Sequence, residues 1–115
     1  MRVLLVDDHA IVRRGMRTIL EDSVPEVVVE EAATGEEALA AVMNPFDVVV
    51  LDLSMPGRNG LDLLAEIKHR KPALPVLILS LHDEQHFAIR TPRAGASGYL
   101  MKDAAGTVLY VGKAT

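Results

Sequence analysis

Four consecutive apolar residues, Val48-Val49-Val50-Leu51, end on a single carboxylate, Asp52, and a turn signal, Met55-Pro56-Gly57, follows within three residues. A run so short, so apolar and so rich in Val reads as a strand buried on both faces. Burial on both faces belongs to a parallel sheet with helices on either side, where ligands meet the carboxyl ends of the strands. Asp52 stands at such an end. An Asp there also suits a plain capping role, so the rest of the chain has to decide between the two.

The same unit recurs. Residues 2–7 form a second apolar run that ends in acid, with Asp8 next, and Val12, Gly15, Met16, Ile19 and Leu20 then mark one face of a helix. Val27 to Ala32 reads as a strand, and Glu30 and Glu31 make it polar enough for a place near the sheet edge. Thr34 with Glu37 is a capping box for a helix carrying Gly35, Ala38, Leu39 and Val42, which Asn44-Pro45 stops. After Asp52, Asn59 can cap a third helix with Gly60, Leu63, Leu64 and Ile67 inward. Lys68 to Lys71 make its last turn basic, which suits the negative end of the helix dipole. Val76 to Leu81 is a fourth buried run ending near Ser80, Asp83 can cap a fourth helix, and residues 97–101 read as a fifth strand followed by Lys102. Residues 104–115 occupy the place of a fifth helix.

Five strand–helix alternations with short links predict one α/β domain over residues 1–115, an open doubly wound five-stranded parallel sheet. Eight units would be needed for a barrel. The expected strand order is 2-1-3-4-5, with the switch point between the first and third strands, which brings Asp7 and Asp8 beside Asp52.

Composition narrows the function. The net charge of −4 argues against non-specific binding to nucleic acid or to an anionic membrane surface. Without cysteine there is no disulfide frame, no thiolate metal site and no cysteine nucleophile. Met1-Arg2 leads into a short apolar run ending in acids, which is neither a signal peptide nor a membrane span, so the cytoplasm is the expected location.

Each strand end near the switch point carries a polar group: Asp7-Asp8, Asp52, Ser80 and Lys102. Singly these suit caps, turns or solvated charges. Together they lie at the crevice where this architecture takes ligands. Two carboxylates ~4 Å apart at a partly buried site repel by roughly 4 kcal/mol, so three would take up protons or recruit a cation. Oxygen-only ligands favour Mg²⁺, and a carboxylate beside such an ion can attack a phosphoryl group and hold it as an acyl phosphate.

The ordered set of Asp7-Asp8, Asp52 with Met55-Pro56-Gly57 and Gly60, Ser80, and Gly95 to Lys102 resembles the receiver domain of two-component response regulators over about residues 1–103. His82-Asp83 and Gly98 to Asp103 are similar to the NarL/FixJ/LuxR-like branch, whose full-length members carry a C-terminal helix-turn-helix output domain. The resemblance implies a flavodoxin-like fold and a regulatory phospho-acceptor rather than a metabolic enzyme, with self-catalysed phosphorylation and dephosphorylation. Asp52 would accept phosphate from a sensor histidine kinase. Asp7, Asp8, Asp52 and the Ser54 carbonyl would organise Mg²⁺. Lys102 would pair with the phosphoryl oxygens, Ser80 would swing to the phosphate, and Tyr99 would turn inward behind it. Ser54 and His82 would tune the lifetime of the phosphate. Dimerisation on phosphorylation, and DNA contact only through an output domain absent from this chain, belong to the same expectation; a membrane does not.

Several features depart from that pattern. Pro92 falls where the fourth helix should continue, and an interior proline costs about 3 kcal/mol or more. Leu81 follows Ser80 where many receivers have a smaller residue. Asp103 stands where many have proline, so the usual reason for a cis bond is missing. The tail, Ala105 to Lys113, is β-branched with two glycines, poor helix chemistry that leaves docking as a helix, fraying and pairing as an extended edge all open. Two competing classes remain: a haloacid-dehalogenase-like Mg²⁺ phosphatase, which lacks support because Leu53-Ser54 replaces its second Asp, and a phosphorylation-independent interaction domain.

Overall fold

In the computed structural model, the described residues are 1–53, 60–81, 98–102 and 108–113; from Ser80 onward only backbone placement is described. The elements run β1 (Arg2–Val6), α1 (Ala10–Ser23), β2 (Val28–Ala32), α2 (Gly35–Ala41), β3 (Val48–Asp52), α3 (Gly60–Arg70), β4 (Val76–Leu81), β5 (Gly98–Lys102) and β6 (Val108–Lys113). The sheet order is β2-β1-β3-β4-β5-β6, and the first five strands are parallel, so the expected order 2-1-3-4-5 is present.

A sixth strand departs from expectation. Val108–Lys113 pairs antiparallel with β5, with Tyr99 opposite Gly112 and Met101 opposite Tyr110, where the alternation had reserved a place for a fifth helix. Val108, Tyr110 and Val111 favour a pleated strand, and the interior Gly112 weakens a helix. β5 runs to Lys102, one residue further than the sequence reading, and Lys102 is paired within the sheet with Leu81 and Val108. The expected caps Asn59 and Asp83, the fourth helix with Pro92, and Asp103 lie outside the described residues.

The alternation of side chains along the central strands makes two cores. Leu4 and Val6 of β1 and Val49 and Leu51 of β3 point to one face, where they meet Ala38, Leu39 and Val42 and then Leu63, Leu64 and Ile67. Val3, Leu5, Val50 and Leu79 point to the other face, against Val12, Met16 and Leu20 of α1. β2 lies at the edge and buries only Val29 and Ala32, while Glu30 pairs with Arg2, and Glu31 with Arg13 and Arg17.

The helices follow their sequence signals with one correction. Thr34 caps α2: its hydroxyl oxygen accepts from the Glu37 N–H at 3.1 Å and lies 3.2 Å from the Glu37 carboxylate. Gly60, Leu63, Leu64 and Ile67 form the buried face of α3 as expected. Lys68 donates from Nζ to the Leu74 carbonyl at 2.8 Å, tying the turn into β4. In α1, however, the packed face is Val12, Met16 and Leu20, whereas Ile19 is 56% exposed and nothing lies within 4 Å of where a Cβ on Gly15 would stand. The packed stripe of α1 is therefore narrower than the i, i+3, i+4, i+7 face that α3 buries.

Candidate functional site

Strand pairing brings the acids together. β1 and β3 are neighbours with Val6 opposite Leu51, so Asp7, just beyond β1, comes level with Asp52 at the tip of β3. The ladder continues past both strands. The Asp7 N–H donates to the Ala32 carbonyl at 3.1 Å, and the Leu53 N–H donates to the Leu79 carbonyl at 3.1 Å. The backbone under each acid is therefore held by sheet on one side. Asp7 is 3% exposed and Asp52 0%, the two buried charged residues among those described, and Asp8 is partly buried.

One side-chain donor atom from each of Asp7, Asp8, His9 and Asp52 lies within 4.8 Å of the others. His9, which the sequence reading did not single out, closes the group. Its N–H donates to Asp7 Oδ1 at 2.8 Å. Its ring Nδ1 lies 3.1 Å from Asp7 Oδ1, 3.0 Å from Asp8 Oδ1 and 3.7 Å from Asp52 Oδ2. Adjacency to Asp7-Asp8 at the start of a helix was the available signal. The cluster thus holds an imidazole beside the three carboxylates.

The surroundings fix this geometry. Arg13, one turn into α1, donates from Nη1 to the Asp7 carbonyl at 2.6 Å and from Nε to Glu31 at 2.8 Å. Arg17 adds a second guanidinium to Glu31 and donates to the Val29 carbonyl at 3.1 Å. The hydrogen bond from Arg13 holds the Glu31 carboxyl below the usual carboxylate range; partial burial opposes this, and Arg17 reinforces it. The arginine pair thus ties α1 to β2 and places the start of α1 over the acid pair.

Buried carboxylates in such proximity are costly unless a positive group faces them. Hard divalent ions bind oxygens at about 2.0–2.6 Å, which sets neighbouring ligand atoms a few ångströms apart, and the spread of this cluster matches that spacing. The three carboxylates fit Mg²⁺ by charge and donor type.

The remaining expected site residues are placed in part. In the sheet, Ser80 lies opposite Met101, Lys102 opposite Leu81, and Tyr99 opposite Ile78. Ser80 and Lys102 are therefore at the same carboxyl edge as Asp52, which itself pairs with Leu79. Ser54 and His82 lie outside the described residues.

The chain matches the family model described as the response regulator receiver domain over residues 3–111. Response regulator UvrY of Escherichia coli K12 is 43% identical over 106 residues, covering 91% of this chain and 49% of that protein. Oxygen regulatory protein NreC of Staphylococcus haemolyticus is 40% identical over 106 residues, covering 90% and 49%. The crystal structure of a LuxR-family two-component response regulator from Aurantimonas superposes with a TM-score of 0.79 at 39% identity, covering 90% of this chain and 76% of that one. The chain spans about half the length of the curated relatives it matches.

Proposed function

The chain belongs to the family of response regulator receiver domains, and from that premise we propose that Asp52 is the phospho-acceptor of a signalling switch whose donor is a sensor histidine kinase. The observation that carries this reading is the full burial of Asp52 beside Asp7 and Asp8 at two neighbouring strand tips. A carboxylate in that position has lost its water and gained an ion site, so a nucleophilic oxygen is already aligned by the sheet.

In the proposed transfer, an Asp52 oxygen attacks the phosphorus of a phosphohistidine. The new P–O bond forms as the P–N bond breaks, and the kinase imidazole leaves with the electron pair. Mg²⁺ held by Asp7, Asp8, Asp52 and the Ser54 carbonyl would supply neutralisation of the phosphoryl oxygens. Lys102 would bring a second positive charge to the same oxygens. An aspartyl phosphate carries close to two negative charges, and Ser80 at the end of β4 is a donor for it. Movement of Ser80 would open room for the Tyr99 ring, converting a charge change into one of two packings. Ser54 and His82 would tune the phosphate's lifetime. That change in packing would then control dimerisation and a DNA-binding output domain carried elsewhere in a longer protein. None of the helices among the described residues is long and apolar enough to cross a membrane, and we place the protein in the cytoplasm.

Incubation with radiolabelled acetyl phosphate and Mg²⁺ tests the acceptor. Wild type should retain label and Asp52→Asn should not; equal labelling of both would remove Asp52 from the role. Rapid release of inorganic phosphate without lasting label would favour the phosphatase class.

A further inference from the structure

His9 occupies the N-cap position of α1, where Ser, Thr, Asp or Asn is usual because a side-chain oxygen there accepts from the first helical N–H groups. The His9 side chain makes no cap hydrogen bond. Its ring turns into the carboxylates, and Nδ1 approaches Asp7, Asp8 and Asp52 at 3.1, 3.0 and 3.7 Å. The backbone keeps it there. The His9 N–H is held by Asp7 Oδ1, its carbonyl accepts from the Arg13 N–H at 3.0 Å, and the Arg13 guanidinium grips the Asp7 carbonyl. Either neutral tautomer uses this placement. With hydrogen on Nδ1 the ring donates to the carboxylates, and with the lone pair on Nδ1 it faces a cation held by the same oxygens.

We propose that His9 is a nitrogen ligand of the divalent ion at the acid cluster, so that the site takes imidazole-binding first-row metals with a preference over Mg²⁺ beyond what three carboxylates confer. The inference rests on the reading of Asp7, Asp8 and Asp52 as the cation site. Mg²⁺ prefers oxygen and keeps waters, so it gains little from an imidazole. Co²⁺, Ni²⁺ and Zn²⁺ gain a bond of the kind they favour. Because the ring is half exposed, at 55% of its side-chain surface, an ion can be reached from solvent on the His9 side. Ion choice would then be a property of residue 9, independent of the carboxylates that serve phosphoryl transfer.

Calorimetric titration of the whole chain with Co²⁺ and with Mg²⁺ tests this, using wild type, His9→Asn, His9→Ala and Asp52→Asn, with the visible Co²⁺ absorption bands as a second readout. Removing the ring should lower Co²⁺ affinity by at least about tenfold, since loss even of an indirect partner of a metal site commonly costs that much. The Co²⁺ bands should shift, and Mg²⁺ affinity should be little changed. Co²⁺ affinity and spectrum indifferent to residue 9, with Mg²⁺ still binding and lost in Asp52→Asn, would overturn the role of His9 alone. Equal losses for Co²⁺ and Mg²⁺ would show His9 to be a positioning residue and also overturn it. Failure of Mg²⁺ to bind wild type would overturn the cation reading and the proposal together.

Discussion

A Cβ built on Gly60, the first residue of α3, would stand 2.7 Å from Leu53 Cα and 2.8 Å from the Leu53 carbonyl oxygen. The helix start therefore rests directly on the backbone that leaves Asp52. Only glycine allows that approach, and the seat of α3 and the position of the acceptor are one packing decision.

Gly60→Ala should accordingly destabilise the fold by about 1–3 kcal/mol, the usual range for an overpacked site, despite the better helix propensity of alanine. Urea denaturation measures it. Trimming Leu53 to Ala should not rescue the variant, because two of the three crowding atoms belong to backbone. An unchanged or raised midpoint would mean that the helix can lift off without cost.

Asp52→Asn should be more stable than wild type when no divalent ion is present. It removes one charge from a cluster in which close pairs repel by up to about 4 kcal/mol at an intermediate effective dielectric. Mg²⁺ should then raise the melting temperature of wild type and not of the variant, since a ligand stabilises the state that binds it. Thermal melts with and without Mg²⁺ give both comparisons.

Glu31 sets an acid limb on stability. Its folded-state pKa lies below the unfolded value, so it contributes stability that is fully present above the unfolded value, about 4.3, and that is lost as pH falls through the folded value. Glu31→Gln should flatten the decline of stability below about pH 4.3 and cost stability at neutral pH. Glu30→Gln, which breaks a more exposed ion pair with Arg2, should cost less stability at neutral pH. Denaturation midpoints measured from pH 3 to 7 distinguish the two.

Glu26 has a φ of 60° in the turn between α1 and β2, where Pro25 precedes it and the Val27 N–H reaches back to the Val24 carbonyl at 3.4 Å. Proline at the second place and positive φ at the third are the marks of a type II turn, which prefers glycine or asparagine third. Glu26→Gly should relieve a left-handed cost of about 1–2 kcal/mol, offset in part by the freer unfolded chain, for a net gain of a few tenths to about 1 kcal/mol. A loss of stability in thermal melts would mean that the Glu26 side chain makes a compensating contact.

The amino-acid order alone determined the five strands, the Thr34 cap and the buried face of α3, because each is a local or periodic pattern: apolar runs bounded by turns, Thr34 three residues before Glu37, leucines at helical spacing; the order 2-1-3-4-5 came from the rule for such alternating units and not from spacing. It also named Asp7, Asp8 and Asp52, since acids at the ends of apolar runs have few places to go in such a sheet. Only the tertiary structure decided which face of α1 is packed, that the tail pairs with β5 as a sixth strand, and that His9 joins the acids. Those outcomes turn on what lies across from a residue in space. Ile19 is exposed beside the stripe of Val12, Met16 and Leu20 that packs on the sheet, Val108–Lys113 finds an open strand edge at β5, and the His9 ring turns to Asp7 and Asp8 where the tip of β3 brings Asp52 to 3.7 Å.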